Sequence, residues 1–186
     1  MKRQTTDDLP EIYSDLLQGQ VSYLYKHLYL NFWGNLTLAI MITLAFFNHI
    51  DNQDLLIAWF AVLTISIVIR FLKNQQFKPQ QKYTKTELEV WKNWYIFFTL
   101  VISLLWGLSA LLIFPSAESA SESYQFLLIL ALSTILLTST PTLTASRNVF
   151  YLQVLFLLLP TILMLLWQDD PKYRWLALML VFMTMT

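Results

Sequence analysis

Residues 28–72 read LYLNFWGNLTLAIMITLAFFNHIDNQDLLIAWFAVLTISIVIRFL, and this stretch decides the fold. Leu28 to Phe47 carries no acidic or basic side chain, a run matching the ~20 residues that a helix rising about 1.5 Å per residue needs to cross ~30 Å of hydrocarbon. The polar turn Asn48-His49-Ile50-Asp51-Asn52-Gln53-Asp54 separates it from a second apolar run, Leu55 to Leu72, in which Arg70 lies close enough to the far end to extend its charge to the interface. Two such runs joined by a short polar turn form a helical hairpin across a bilayer.

The same grammar continues in both directions. Upstream, Asp8-Leu9-Pro10-Glu11 has the spacing of a helix start, and Leu9, Ile12, Leu16, Leu17, Leu24 and Leu28 recur at near-helical intervals. Residues 1–27 are therefore expected to be a cytoplasmic tail and an amphipathic helix lying on the membrane surface, with Tyr23, Tyr25 and Lys26 at headgroup depth. Downstream, the polar linker from Lys73 to Lys92 contains Pro79 and a capping box, Thr84-Lys85-Thr86-Glu87, from which a helix can run unbroken into a third span, Trp94 to Phe114. Pro115 stops it, and Ser119-Ala120-Ser121-Glu122 offers another capping box before a fourth span, Tyr124 to Ala145. Ser146-Arg147-Asn148 turns the chain into a fifth, Val149 to Trp167, and Asp169-Asp170-Pro171 into a sixth, 173–186, which is incomplete as a span. The expected fold is all-α: a polytopic transmembrane helical bundle over 28–186 of about six spans (28–47, 55–72, 94–114, 124–145, 149–167 and 173–186), preceded by the interfacial helix. The natural chain is expected to continue beyond Thr186.

Composition agrees. The 186 residues are 56% hydrophobic and 13% charged, against the roughly 45–50% apolar content of soluble domains, so the lipid bilayer is the first partner. Met1-Lys2-Arg3 leads into a polar, acidic stretch and not a short apolar one, so no cleavable signal peptide is expected and the first span should be retained. The net charge is zero and the cations form no tail, which argues against nucleic acid. With the N-terminus inside, all 12 basic residues except Lys172 and Arg174 fall on the cytoplasmic side, while Asp51, Asp54, Glu118, Glu122, Asp169 and Asp170 fall outside. That bias predicts a cytoplasmic N-terminus.

Chemistry is sparse. There is no cysteine, hence no disulfide or thiolate metal site, and the two histidines, His27 and His49, have no metal-ligating partner at matching depth. No phosphate loop, nucleophile triad or paired carboxylates occur, so neither enzyme activity nor a cofactor is expected. His49 near Asp51 has the intrinsic pKa of a pH sensor, although loop histidines are usually only solvated. In the fourth span Thr134, Thr138, Thr142 and Ser146 recur every fourth residue, with Pro141 among them. Such a stripe serves helix packing, the commoner use, or lines a ligand pocket in which Pro141 frees a carbonyl. Ser103 and Gly107 have small-xxx-small spacing for close helix contact, Trp106 beside them sits too deep for the interfacial belt, and Pro160 kinks or locally opens the fifth span. Trp33, Trp91, Trp94, Trp167 and Trp175 fall near span ends, where tryptophan anchors.

The order of features, with Leu28-Tyr29-Leu30-Asn31-Phe32-Trp33-Gly34-Asn35, the basic linker, Leu105-Trp106-Gly107-Leu108-Ser109-Ala110, Phe114-Pro115 and Leu157-Leu158-Leu159-Pro160, resembles the multi-span input regions upstream of GGDEF-type diguanylate cyclases and of hybrid sensor histidine kinases in bacteria. The resemblance implies a cytoplasmic output module joined through the sixth helix of a bacterial inner-membrane signalling protein, and no catalytic residue is carried over to this segment; a small apolar or lipid-like ligand and a homodimer are the candidate partners beside the bilayer. A small transporter or channel subunit, and a passive membrane anchor or dimerisation domain, are the rival classes. The missing charge at mid-span and the lack of a repeat between halves disfavour transport.

Overall fold

The computed structural model describes residues 9–26, 28–50, 52–113, 122–138, 147–168 and 171–185. Among the described residues every regular element is an α-helix: α1 (Leu9–Lys26), α2 (Leu28–Phe46), α3 (Gln53–Asn74), α4 (Lys85–Leu112), α5 (Glu122–Thr138), α6 (Arg147–Trp167) and α7 (Pro171–Met185). Local chemistry sets several of these boundaries. The Asn52 side chain accepts the Leu55 amide at 3.1 Å and starts α3. The Thr84–Glu87 capping box forms as its spacing predicts: the Thr84 amide donates to Glu87 Oε2 at 2.8 Å and the Glu87 amide to Thr84 Oγ1 at 3.4 Å, and α4 then runs without a break to Leu112. The capping box at Ser119–Glu122 and the start of α1 at Asp8 involve residues outside those described.

Among the described residues four helical stretches are long and apolar enough to cross a membrane: Asp15–Phe46, which joins the end of α1 to α2, then Gln53–Asn74, Lys85–Leu112 and Arg147–Trp167. α5, with 17 residues, and α7, with 15, reach only about 25 and 22 Å at ~1.5 Å per residue, short of ~30 Å of hydrocarbon. The remainder of the expected fourth span, 139–145, lies outside the described residues.

α4 is the central helix, packing on α6 over the longest seam and also on α3, α1 and α5, while α2 pairs with α3 and α5. The main core draws Ile42 and Phe46 from α2, Leu56 and Leu63 from α3, Trp106 and Ala110 from α4, Leu128 and Leu132 from α5, and Leu157 and Leu158 from α6. The outer faces are as apolar as the core: Met41, Leu44, Ile65, Phe97, Leu130 and Leu163 are all exposed. An outer surface of this kind is penalised by water and tolerated by lipid.

α1 uses its apolar face differently from the surface-helix expectation. Leu17, Val21, Leu24 and Tyr25 are buried against Phe77 of the linker and Leu88 and Tyr95 of α4, with Tyr83 and Trp91 at the margin. The linker folds back to cover the stripe, where Gln18 Nε2 donates to Gln81 O of the linker at 3.2 Å, and Tyr25 Oη donates to Trp91 O of α4 at 3.0 Å. Protein therefore covers Leu17, Val21 and Leu24, while Leu16 stays exposed. At the other end of the chain α7 docks mainly on α6 through Leu165, Tyr173, Ala177 and Leu180, and the Tyr173 hydroxyl donates to Gln125 Oε1 of α5.

Candidate functional site

The ends of the helices that meet the linker bring polar groups from five elements to one level. Asn31 and Asn35 of α2, Arg70 of α3, Tyr95, Thr99 and Ser103 of α4, Thr138 of α5 and Gln153 of α6 line one small cavity of about 30 Å³, completed by Ile102 and Ile135. α2, α4 and α6 start at this end of the bundle and α3 and α5 finish there, so antiparallel packing alone places these residues at a common depth. Asn35 and Gln153 sit about 10 Å inside the ends of their helices at ~1.5 Å per residue. Such a volume holds one or two water-sized groups.

The partners within this cluster are specific. Trp106 Nε1 donates to Asn35 Oδ1 at 3.0 Å, tying α4 to α2, while Asn35 Nδ2 donates to its own helix at Asn31 O, 2.8 Å away. Ser103 Oγ donates to Thr99 O at 2.8 Å. Thr99 itself is 3% exposed, and its Oγ1 finds no hydrogen-bond partner among the described residues. Arg70 is partly buried. Its guanidinium carbon lies 4.8 Å above the Tyr95 ring, a cation–π contact, and the side chain lines both this cavity and an adjoining one bordered by Leu24, Phe71 and Asn74. Among the described residues no carboxylate pairs with it.

A larger apolar cleft opens beside the cavity, between α2 and α5. It measures about 420 Å³, is lined by Leu30, Trp33, Gly34, Leu38, Met41 and Thr134 among others, and shares Asn31, Asn35, Ile135 and Thr138 with the cavity. The two predicted threonines that the structure describes therefore do border open space. Their hydroxyls are nonetheless bonded within α5, Thr134 Oγ1 to Leu130 O and Thr138 Oγ1 to Ile135 O, both at 2.9 Å. Pro141, Thr142 and Ser146, the rest of that stripe, lie outside the described residues.

Gly107 and Pro160 come together on the α4–α6 seam, and Ser103 borders the cavity together with Gln153. Proline has no amide proton, so Pro160 leaves the Phe156 carbonyl without its usual partner four residues on. That carbonyl rests on Gly107, where an added Cβ would overlap Phe156 O and lie 2.8 Å from Leu157 O and 3.1 Å from Pro160 Cγ. Trp106 is fully buried and meets Trp59 edge to face at 5.4 Å, and Trp59 Nε1 donates to Leu105 O at 2.7 Å. Both indole donors are thus satisfied across helix boundaries.

Comparison with protein-family models, curated proteins and solved structures returned no match. Function has to be read from the site. Among the described residues no group of histidine and carboxylate side chains is arranged to hold a metal. His49 is half-buried rather than solvated: Nε2 lies 2.7 Å from the Tyr124 hydroxyl, and the two rings are 4.2 Å apart. Asn31, Asn35, Arg70, Thr99 and Gln153 were not among the candidate site residues named from the sequence. The available signal was polar residues at equal depth from the basic end of successive spans, Asn31 with Asn35 and Thr99 with Ser103 each repeating on one helical face.

Proposed function

We propose that this chain is the membrane-embedded sensory or regulatory input domain of a bacterial signal-transduction protein, lying in the inner membrane with its N-terminus cytoplasmic and relaying a signal through α7 to a cytoplasmic output module, a diguanylate cyclase or a histidine kinase. The observation that supports this most is the position of α6. One helix borders the polar cavity through Gln153, is clamped to the central helix at Gly107 and Pro160, and carries α7 through Leu165. A ligand that shifts α6 against α4 therefore displaces α7 with it. Translations of ~1–2 Å between packed helices are an ordinary switching mode. The signal in this scheme is apolar or lipid-like and reaches the cavity from the bilayer, and a homodimer aligns paired output modules.

The test has two parts. The coding sequence downstream of Thr186 should encode a cyclase or kinase module in frame. In that full-length protein Thr138→Trp, which intrudes on the shared rim of cleft and cavity, should lock the output at one level while expression is unchanged. An unaltered stimulus response, or ion and solute flux through liposomes containing the chain, overturns the proposal in favour of a passive anchor or a transporter.

A further inference from the structure

We infer that the cavity and the α2–α5 cleft are the two halves of one binding site for a single-chain long-chain carboxylic acid, the carboxylate seated at Arg70 and the acyl chain lying in the cleft. The two spaces share Asn31, Asn35, Ile135 and Thr138 and so lie against each other at these side chains. Their characters differ as the ends of such an amphiphile do. The cavity has a permanently charged guanidinium, a buried Thr99 Oγ1 with no partner among the described residues, and the side chain of Asn31. The cleft is walled mainly by Leu30, Trp33, Leu38 and Met41.

Charge decides the sign of the head group. Arginine keeps its proton at any accessible pH, and a guanidinium within a lipid-facing bundle is costly without a counter-charge. The Tyr95 ring supplies only a quadrupole, and no carboxylate answers Arg70 among the described residues. A planar carboxylate fits both the forked donors of Arg70 and the free hydroxyl of Thr99. Size decides the number of tails. The cleft, about 420 Å³, is of the order of one acyl chain and not of the two of a phospholipid. The site names a ligand for the bundle without requiring an output module, so binding and signalling fail separately.

The experiment is saturation binding of radiolabelled oleate to the purified chain in phosphatidylcholine nanodiscs, with methyl oleate and dioleoyl phosphatidylglycerol as competitors. Oleate should bind saturably at one per chain, with methyl oleate at least tenfold weaker and phosphatidylglycerol unable to displace it. Arg70→Gln should weaken oleate at least tenfold and leave methyl oleate unchanged, whereas Arg70→Lys should retain most of the affinity. Gly34→Leu fills the cleft from a position where an added Cβ meets nothing within 4 Å, so it should preserve the fold and abolish binding of both probes. Equal affinity for acid and ester, displacement by phosphatidylglycerol, or full oleate binding by Gly34→Leu would each overturn the assignment, the last even if Arg70→Gln fails to fold.

Discussion

Replacing Gly107 by alanine sets two well-known effects against each other. In an isolated helix the exchange is favourable by about 1 kcal/mol, because alanine is the better helix former. On the α4–α6 seam the new methyl group would overlap Phe156 O and sit 2.8 Å from Leu157 O. Both are backbone atoms of a helix and cannot rotate away. Bringing Leu157 O alone to an ordinary 3.4 Å contact requires the seam to open by about 0.6 Å, and Phe156 O requires more. A gap of ~0.5–1 Å forfeits a quarter to a half of each dispersion contact it touches, and overpacking of a formed core costs about 1–3 kcal/mol. The net expectation is a loss of roughly 1–2 kcal/mol, a five- to thirtyfold shift in the folding equilibrium. Gly19 and Gly34 supply the control, since a Cβ at either meets nothing within 4 Å and the same exchange there should be neutral or stabilising. Reversible unfolding in mixed micelles, followed by tryptophan fluorescence, reads all three variants on one scale. If Gly107→Ala is as stable as Gly34→Ala, the close approach of α4 to α6 is wrong, and with it the clamp through which α6 is argued to act.

Other consequences are accessible to similar measurements. A double-mutant cycle between Trp106→Phe and Asn35→Leu should return a coupling near 0.6 kcal/mol, the average for membrane hydrogen bonds, because the Nε1–Oδ1 bond is the direct link between the two side chains; zero coupling would mean that α2 is not tied to α4 there. The Thr84 amide and hydroxyl hold the Glu87 carboxyl below its ordinary pKa, so its capping contribution is complete above the ordinary carboxylate range and is lost as pH falls through the lowered value. Amide exchange at the start of α4 should accordingly accelerate relative to the intrinsic rate only under acid conditions, and Glu87→Gln should remove that pH dependence. Tyr25→Ala deletes the bond to Trp91 O and the ring contact with Phe77 at 4.6 Å, and should expose the linker to limited proteolysis while the α4–α6 core stays protected.

Periodicity and length made the hairpins legible, because a run such as Leu28–Phe47 bounded by Asn48 to Asp54 has few other solutions in lipid. The Thr84–Glu87 cap was legible for a similar reason: it is local, and its partners are fixed by helix geometry. The role of α1 was not. An apolar stripe on an amphipathic helix states that something apolar covers it without stating what, and Leu17, Val21 and Leu24 would satisfy a bilayer surface as well as Phe77 and Leu88. Only the path of the linker chooses, and that path depends on contacts remote in sequence, such as Gln18 with Gln81.

The site shows the same limit more sharply. Ser103, Gly107 and Pro160 could be named because each residue type has a strong local habit, and the habits of Gly107 and Pro160 turn out to be complementary across one seam: a helix without a side chain faces a helix without an amide proton. Arg70 has no such single habit. An arginine near a span end can reach the interface or turn inward, and the two outcomes differ in free energy by the quality of what it meets inside. Here Tyr95 offers a ring face, and Asn31, Asn35 and Thr99 stand at the same depth, each contributed by a helix whose own polar residue looks unremarkable in isolation. A polar site assembled in this way is a property of antiparallel register, visible only when positions are compared by depth across spans instead of along the chain.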